Sequence, residues 1–218
     1  MAARTATSEI NPTDRREERR QAIIEAAARL FAELGYTACE MERVAAELKV
    51  AKGTLYLYFP SKEALFYACV DSGMRQMQET VAHAADGAAE PFNRIARGIR
   101  AYLQFFDDHP EHVELLIQER ANFKNRKKPT YFEYRDANRY KWRDLHQSLI
   151  DLGRERNDLP VERIMDVIGN LLYGTMFTNH FTGRSVSLAE QATSMLEILF
   201  RGLLSEQERA AQEKGSGG

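Results

Sequence analysis

Apolar residues recur every three or four positions over most of this chain, and this spacing limits its fold more than any other feature. After residue 40, for example, Met41, Val44, Ala45 and Leu48 follow the i, i+3, i+4, i+7 pattern of one helical face. No segment shows the sustained alternation of apolar and polar residues that is typical of a half-buried strand. The spacing therefore predicts an all-α protein.

About nine helices are predicted, separated by glycine, proline and small polar residues. Gly35 stops the first helix as a left-handed C′ residue would. Pro60 ends the third helix because the residue before a proline disfavours the helical conformation, and Ser61 is a suitable N-cap for the fourth. The predicted ranges are 14–34, 40–48, 51–58, 62–83, 92–108, 111–123, 131–156, 161–181 and 188–204.

Length and composition are those of a globular protein, with 218 residues of which 44% are hydrophobic and 28% charged. The first 25 residues contain no apolar targeting segment, and no apolar run is long enough to span a bilayer. We therefore expect a cytoplasmic protein without membrane contact. Cys39 and Cys69 lack the spacing of a metal or redox motif and are expected to be buried thiols.

Positive charge is concentrated in one short stretch, although the formal net charge is only −2. Residues 48–62 contain Lys49, Lys52 and Lys62 and no acidic residue. The same stretch carries Tyr56 and Tyr58, which cannot share a helical face because successive residues turn by about 100°. At least one of these tyrosines must therefore point away from the core.

The helices at 40–48 and 51–58, joined by a short turn, fit the helix-turn-helix arrangement, in which the second helix enters the major groove of DNA. Lys52 can donate to guanine, Gly53 removes a side chain that would hold the helix off the groove floor, and Thr54 can meet a phosphate or a thymine methyl. The alternative is an ordinary helical corner with solvated lysines.

The remaining side chains of this stretch divide between core and DNA. Tyr56 and Tyr58 can direct their hydroxyls to phosphates or bases, while Leu55 and Phe59, at i and i+4, anchor the helix. Lys62 lies in the first turn of the fourth helix, where the helix dipole already favours an anion, and is predicted to clamp a phosphate.

Residues 15–66 closely resemble the N-terminal domain of the tetracycline-repressor (TetR) family of transcription regulators. The matching segments are RRQAIIEAAARLFAELGY, MERVAAEL and VAKGTLYLYFPSKEALF, with their spacing intact. The resemblance implies a repressor that binds a palindromic double-stranded DNA operator and is released by a small-molecule effector. It also implies that the family's DNA contacts correspond to these residues: Lys52, Gly53, Thr54, Tyr56, Tyr58 and Lys62.

The resemblance also implies a division of the chain. We expect a flexible arm at 1–13, a helix-turn-helix domain at 14–61, a larger helical domain for effector binding and dimerisation at 62–205, and a flexible tail at 206–218. Effector binding in the larger domain would shift the population of the protein away from the DNA-binding conformation.

Four residues depart from the family pattern, at three places in the chain. Cys39 and Glu40 stand where a hydroxyl residue usually caps the second helix, so that cap is in doubt. Lys49 stands where a glycine is common, in a turn that favours a left-handed residue. Ala51 replaces a frequent serine. These departures leave the groove-facing surface in place but can alter sequence preference.

The predicted effector, apolar or anionic, would be bound by aromatic residues of the larger domain, although an aromatic stripe is also typical of plain core. Nine basic and three acidic residues lie at 118–143, either to attract an anionic effector or as a solvated face. The candidate pocket residues are Tyr102, Phe105, Phe106, Trp142, Tyr173 and Phe177.

The last two helices carry apolar stripes broad enough to bury more than one face. Residues 161–204 are therefore predicted to form the surface of a homodimer, with a simple core as the alternative.

No phosphate-binding loop, dinucleotide fingerprint or nucleophile elbow occurs, so we predict neither an enzyme nor a cofactor. A helical interaction module without DNA preference is a further alternative. No metal site is predicted, because the two histidines of a polar cluster straddle a proline and lack the i, i+4 pairing of a zinc helix. That cluster is Asp107, Asp108, His109, Glu111 and His112. The isolated histidines are expected to be structural or exposed: His83, His146 and His180.

Overall fold

The computed structural model describes residues 12–208, and within this range the chain forms nine named α-helices and no strand, which confirms the all-α prediction. Residues 206–208, which the sequence assigned to a flexible tail, are helical as well. Residues 1–11 of the predicted arm and 209–218 of the predicted tail lie outside the described residues. The helices are α1 (Pro12–Leu34), α2 (Met41–Glu47), α3 (Lys52–Tyr56), α4 (Lys62–Asp86), α5 (Pro91–Asp108), α6 (Pro110–Asn122), α7 (Thr130–Asp151), α8 (Val161–Thr182) and α9 (Leu188–Leu203).

Several helix ends have the residues that the sequence predicts. Gly35 has a φ of +80° and ends α1. The Oγ of Ser61 accepts a hydrogen bond of 3.0 Å from the backbone N–H of Ala64, as an N-cap does at the start of α4. Glu40 makes no side-chain cap bond at the start of α2, as the missing hydroxyl led us to expect.

Two helices end at least two residues earlier than predicted. The third helix ends at Tyr56 instead of residue 58, because Tyr58 turns more tightly and donates to the carbonyl three residues earlier, that of Leu55. The seventh ends at Asp151 instead of residue 156. Gly153, with a φ of +68°, donates to Ile150, and the next N–H donates to Leu149, which is the Schellman pattern of a helix end.

The chain divides into two compact units, the first ending at Ser72 and the second beginning at Gly73, so α4 has residues in both. The first unit includes the start of α4 because Leu65 and Phe66 are completely buried there. The Phe66 ring packs edge-on against Phe31 of α1, with 5.3 Å between ring centroids. Packing therefore joins the first part of α4 to α1, α2 and α3.

Helix α5 is the centre of the second unit, where it packs against α6, α8 and α9. One face of α5 is apolar along its whole length, and that face supplies much of the buried core. Its buried members include Phe92, Ile95, Ile99, Leu103 and Phe106.

Helices α8 and α9 also expose apolar side chains in the single chain. Val167, Leu171 and Gly174 follow the i, i+4, i+7 spacing of one face of α8 and are exposed, with Val167 at 56%. Phe181 extends this face, and Ile198 of α9 is 73% exposed. Both helices therefore carry apolar side chains that the described chain leaves uncovered, and we call these residues the apolar face of α8 and α9.

Candidate nucleic-acid interface

The turn between α2 and α3 depends on one residue in a left-handed conformation. Lys49 has a φ of +54° and is, within the described part of the chain, the one residue other than glycine with a positive φ. The next N–H, that of Val50, returns to the carbonyl of Ala45 at 3.0 Å. The concern that a lysine occupies a glycine-like position is therefore confirmed, and the turn closes around it.

Two apolar side chains fix the orientation of α3. Leu55 is fully buried and Phe59 is 3% exposed, as their i, i+4 spacing predicts. Lys52 and Gly53 lie on the exposed side. A Cβ added to Gly53 would meet nothing within 4 Å, so the space above the start of this helix is open.

The other predicted DNA contacts of this helix differ in their exposure to solvent. Tyr56 is 43% exposed, while Thr54 and Tyr58 are half-buried. The Arg16 guanidinium of α1 lies 6.0 Å from the centroid of the Tyr58 ring, which holds that ring beside α1. The structure thus leaves all five predicted residues of α3 and its end at least partly accessible, with Tyr58 beside α1.

An acidic residue of α2 engages Lys52, which sequence reasoning missed. The Lys52 ammonium forms an ion pair with Glu42 and lies 5.7 Å from the Tyr56 ring centroid. The hydrogen bond between the two side chains raises the pKa of Lys52 and lowers that of Glu42. Both groups are therefore charged at neutral pH, and each partly neutralises the other at this surface.

Lys62 also has partners within the chain. Its Nζ donates to the carbonyl of Thr37 at 3.2 Å, and it lies 3.4 Å from a carboxylate oxygen of Glu40 and 5.0 Å from the Tyr36 ring centroid. Its side chain is 22% exposed. A phosphate contact by Lys62, which remains a prediction, therefore requires the ammonium to share or leave these partners.

Leu57 is a surface residue that sequence reasoning overlooked. It is 75% exposed and directly follows Tyr56 at the end of α3. The signal was present, because Leu55 and Phe59 occupy the core at i and i+4 and a residue midway between them points outward. An exposed leucine at this position is available for apolar contact with a thymine methyl.

Five of the six predicted effector residues belong to two groups of ring contacts in the second unit, which one hydrogen bond connects. Phe105, Phe106 and Tyr102 contact in sequence, and Tyr173 contacts Phe177 at 4.7 Å between centroids. Tyr131, which we did not predict, connects the two groups: its hydroxyl lies 2.9 Å from that of Tyr102, and its ring centroid is 4.7 Å from that of Tyr173. Burial raises the pKa of Tyr131 to about 12.

The sixth predicted residue, Trp142, lies elsewhere. It packs closely on Gly98 of α5, where an added Cβ would lie 2.6 Å from the indole ring. Trp142 therefore joins α7 to α5 and does not extend the ring contacts.

A cavity of about 160 Å³ lies between α5, the start of α6 and the end of α8. Phe106 is the one predicted effector residue that lines it. Its polar wall contains an ion pair between Asp107 and Arg184, and His180 lies 3.3 Å from Glu114 nearby. The other lining residues are Leu103, Pro110, Met176 and Asn179.

The basic stretch at 118–143 is largely paired with acidic groups. Arg126 donates to the buried carboxylate of Glu119 at 2.6 Å and to Glu133 at 2.6 Å. Further pairs are Lys128–Asp136, Arg135–Asp136, Arg139–Asp166 and Arg143–Glu162. Ion pairs within the chain thus neutralise much of the positive charge at 118–143, whose role the sequence did not decide.

The polar cluster at the α5–α6 corner is closer than its spacing suggested. His109, Glu111 and His112 place one potential metal-ligand atom each within 4.8 Å of one another. His112 is 7% exposed, and burial lowers the pKa of its imidazole. His146 is also buried, with Nδ1 2.9 Å from both carboxylate oxygens of Glu155, as expected of a structural histidine.

Among the described helices, none has the length and apolar character needed to cross a bilayer.

Comparison with known proteins connects this surface to a family. Residues 23–69 match the model of the bacterial regulatory proteins of the tetR family. The uncharacterised HTH-type transcriptional regulator YerO of Bacillus subtilis (strain 168) is 30% identical over 122 residues, which cover 53% of this chain and 40% of YerO. The chain thus spans less than half the length of that relative.

Longer matches have lower identity. The HTH-type transcriptional repressor AcnR of Corynebacterium efficiens is 27% identical over 194 residues, covering 84% of this chain and 92% of AcnR. The structure of the transcriptional regulator FadR from Bacillus subtilis in complex with stearoyl-CoA has a TM-score of 0.68 and 21% identity, covering 84% of this chain and 98% of FadR. Residues 23–69 therefore belong to the TetR family of bacterial regulatory proteins, and the chain shares its fold with solved transcriptional regulators.

Proposed function

We propose that the chain is a ligand-responsive repressor that binds a palindromic double-stranded DNA operator as a homodimer. The observation that carries this proposal is the orientation of α3. Leu55 and Phe59 anchor the helix, while Lys52 and Tyr56 face solvent around the open position of Gly53. A short helix with small residues at its N-terminal end can approach base edges in the major groove. A protein with this function works where its operator DNA is, in the cytoplasm.

Each predicted DNA-contacting side chain has a role in this proposal. Lys52 donates to guanine O6 or N7, and Thr54, Tyr56 and Tyr58 donate to phosphates at the edges of the groove. Lys62 contacts a phosphate next to the start of α4. Since Glu42 holds Lys52 in the free protein, binding exchanges this ion pair for a contact with DNA.

The second copy packs against the uncovered apolar face of α8 and α9, within the predicted range 161–204. Val167, Leu171 and Ile198 lose contact with water there, which favours association. A two-fold dimer presents two copies of α3 to half-sites separated by about 34–36 Å, one turn of the double helix. This arrangement requires a palindromic operator.

The effector is proposed to bind in the second unit, near the ring contacts around Tyr102 and Tyr173. FadR of Bacillus subtilis was solved with stearoyl-CoA, and by analogy we propose an apolar or anionic ligand such as an acyl thioester. Because α4 has residues in both units, it is the element through which an effector shifts the population of DNA-binding conformers.

Selection of bound duplexes from a random pool, followed by fluorescence anisotropy, tests DNA binding. We expect enrichment of a palindromic site whose affinity falls as salt rises, because phosphate contacts release counterions. Lys52→Ala and Tyr56→Ala each weaken operator binding by at least about tenfold, the loss of one good contact.

Lys127→Ala is the matched control, since it removes an exposed lysine from a different unit. It leaves operator affinity unchanged. Failure to enrich any duplex supports the interaction-module alternative, and full operator affinity in both Lys52→Ala and Tyr56→Ala contradicts the assignment of α3.

Titration of stearoyl-CoA into the operator complex tests the effector proposal. We expect the acyl thioester to lower operator affinity in the wild type, with free coenzyme A as the control ligand. Tyr173→Ala reduces this response because it opens the ring contacts around Tyr131 and Phe177. Unchanged operator affinity in the presence of bound stearoyl-CoA excludes this compound as an inducer.

A further inference from the structure

Three side chains with metal-binding atoms meet where α5 passes into α6. His109 is the N-cap of α6, and Glu111 and His112 lie in its first turn. The backbone N–H of His112 donates to the carbonyl of His109 at 3.1 Å, which closes the turn. Residues three apart lie on the same side of a helix. The helix start thus places both histidines together, a geometry that the i, i+4 criterion did not consider.

The distances suit one small cation. One ring nitrogen of each histidine and one carboxylate oxygen of Glu111 lie within 4.8 Å of one another. The Nδ1 of His109 is 3.2 Å from Oε1 of Glu111. Two ligands on a tetrahedral zinc ion, with bonds of about 2.1 Å, are separated by about 3.4 Å. One pair already has this spacing, and modest side-chain rotation brings the third ligand to it.

His112 provides the independent observation that this cluster is a site. The residue is 7% exposed, yet its Nδ1 has no hydrogen-bond partner within the described part of the chain. Buried polar atoms usually have a partner, because an unpaired one costs free energy. The hydrogen bond between His109 and Glu111 gives those two side chains a partner, but it leaves Nδ1 of His112 without one. A cation bound by Nδ1 of His112 supplies the missing partner.

The surrounding packing fixes the orientation of the His112 ring. It stacks on Phe105 with an interplanar angle of 5° and a centroid distance of 5.7 Å. A Cβ added at Gly73 would lie 2.4 Å from Nδ1 and 2.7 and 2.8 Å from Cγ and Cε1, so Gly73 lies over the face of the ring. The in-plane lone pair of Nδ1 therefore points away from Gly73. Packing thus holds the His112 ring, and Gly73 does not block the direction in which the Nδ1 lone pair would bind a metal ion.

The other two groups leave a route from solvent. The side chains of His109 and Glu111 are 43% and 27% exposed. Asp108 immediately precedes the cluster in sequence and adds negative charge close to it, whereas Asp107 is paired with Arg184. A cation can therefore reach the buried imidazole through the two more exposed ligands.

We propose that His109, Glu111 and His112 bind one divalent transition-metal ion of the zinc class, with the remaining coordination position open to water. Two imidazoles and one carboxylate form a donor set that Zn²⁺ accepts, whereas Mg²⁺ and Ca²⁺ prefer oxygen ligands alone. The site lies outside the proposed DNA surface and does not depend on it. Its buried ligand, His112 of α6, packs against Gly73 of α4.

Titration of the metal-free full chain with Zn²⁺, in competition with a chromogenic zinc chelator, tests the proposal. We expect one tight Zn²⁺ per chain in the wild type. His109→Ala and Glu111→Gln each weaken binding by at least about tenfold, because each removes one ligand from the set. Both residues are partly exposed, so these variants are expected to fold, which circular dichroism checks.

Two measurements separate this site from other causes of zinc binding. Co²⁺ in the wild type gives visible d–d bands without the thiolate charge-transfer band that Cys39 or Cys69 would add. His83→Ala, which removes an exposed histidine distant in sequence, binds Zn²⁺ as the wild type does. Equal Zn²⁺ affinity in the wild type, His109→Ala and Glu111→Gln, or a thiolate band with Co²⁺, overturns the proposal.

Discussion

At the scale of single residues, the ion pair between Lys52 and Glu42 has the greatest effect on the proposed DNA surface. A carboxylate beside the groove-facing lysine repels phosphates and competes with guanine for the ammonium. Glu42 is therefore expected to lower the affinity of the proposed surface for DNA. The pair is also exposed, so salt screens it as it screens the phosphate contacts.

Glu42→Gln is expected to raise affinity for nonspecific duplex several-fold and to steepen its salt dependence by about one phosphate contact, since Lys52 becomes free to pair with DNA. Fluorescence anisotropy over a range of salt concentrations measures both effects. Glu47→Gln, an exposed change of the same charge on α2, is the control and leaves the salt slope unchanged. Identical effects of the two substitutions would show that general charge, not release of Lys52, is responsible.

Lys49 has a backbone conformation that suits glycine better than lysine. Its φ of +54° places the Cβ in an unfavourable position, at a cost of about 1 kcal/mol. Lys49→Gly is therefore expected to raise the free energy of unfolding by about 1 kcal/mol in chemical denaturation. Lys49→Ala, which keeps the Cβ but loses the charge, is expected to give no such gain; an equal gain would assign the effect to charge.

At the scale of the elements, helix ends are determined by a few residues and their hydrogen bonds. Gly35, Ser61 and Pro60 were readable because their effects are local. The early end of α7 was readable in principle, since Gly153 follows the exposed Leu152 at the helix end. Arg154, Glu155 and Arg156, which are compatible with a helix, extended the apparent helical pattern, and the Schellman bonds overrode it.

Gly153→Ala is expected to lower the free energy of unfolding by about 1–2 kcal/mol, because alanine is strained at a φ of +68°. Thermal and urea denaturation measure the change. Gly169→Ala within α8 is the matched control, since an added Cβ there meets nothing within 4 Å and alanine favours a helix. That control is expected to be neutral or stabilising. Equal destabilisation by both would show that the C′ position of α7 is not special.

At the scale of the whole molecule, the chain has two units, and the second carries an apolar face that its own helices do not cover. Val167 and Ile198 are more than half exposed, although exposed apolar patches are unfavourable in a monomer. A hydrogen-bonded amide pair between Asn179 and Gln191, at 2.8 and 2.9 Å, holds α8 and α9 together beside this face. The exposed apolar residues of the two helices therefore suit the proposed contact with a second copy of the chain.

The double substitution Val167→Asp with Ile198→Asp is expected to convert the proposed dimer to a monomer, because charge on both helices opposes burial. Light scattering after size-exclusion chromatography measures the mass, and affinity for the palindromic operator falls with it. Leu152→Asp changes another exposed leucine, at the end of α7, and retains the dimer. A dimeric mass for the double variant would place the interface elsewhere.

The sequence by itself determined the helices and the outward side of α3. Helical periodicity, caps and breakers act over one or two turns, so Leu55, Phe59 and the exposed Tyr56 could be assigned without coordinates. Only the tertiary structure decided which distant groups meet. The pairing of Lys52 with Glu42, the approach of Lys62 to Thr37, and the packing of His112 against Gly73 join residues from different elements of the chain. Such contacts depend on how helices pack, and spacing along one helix carries no information about its neighbour.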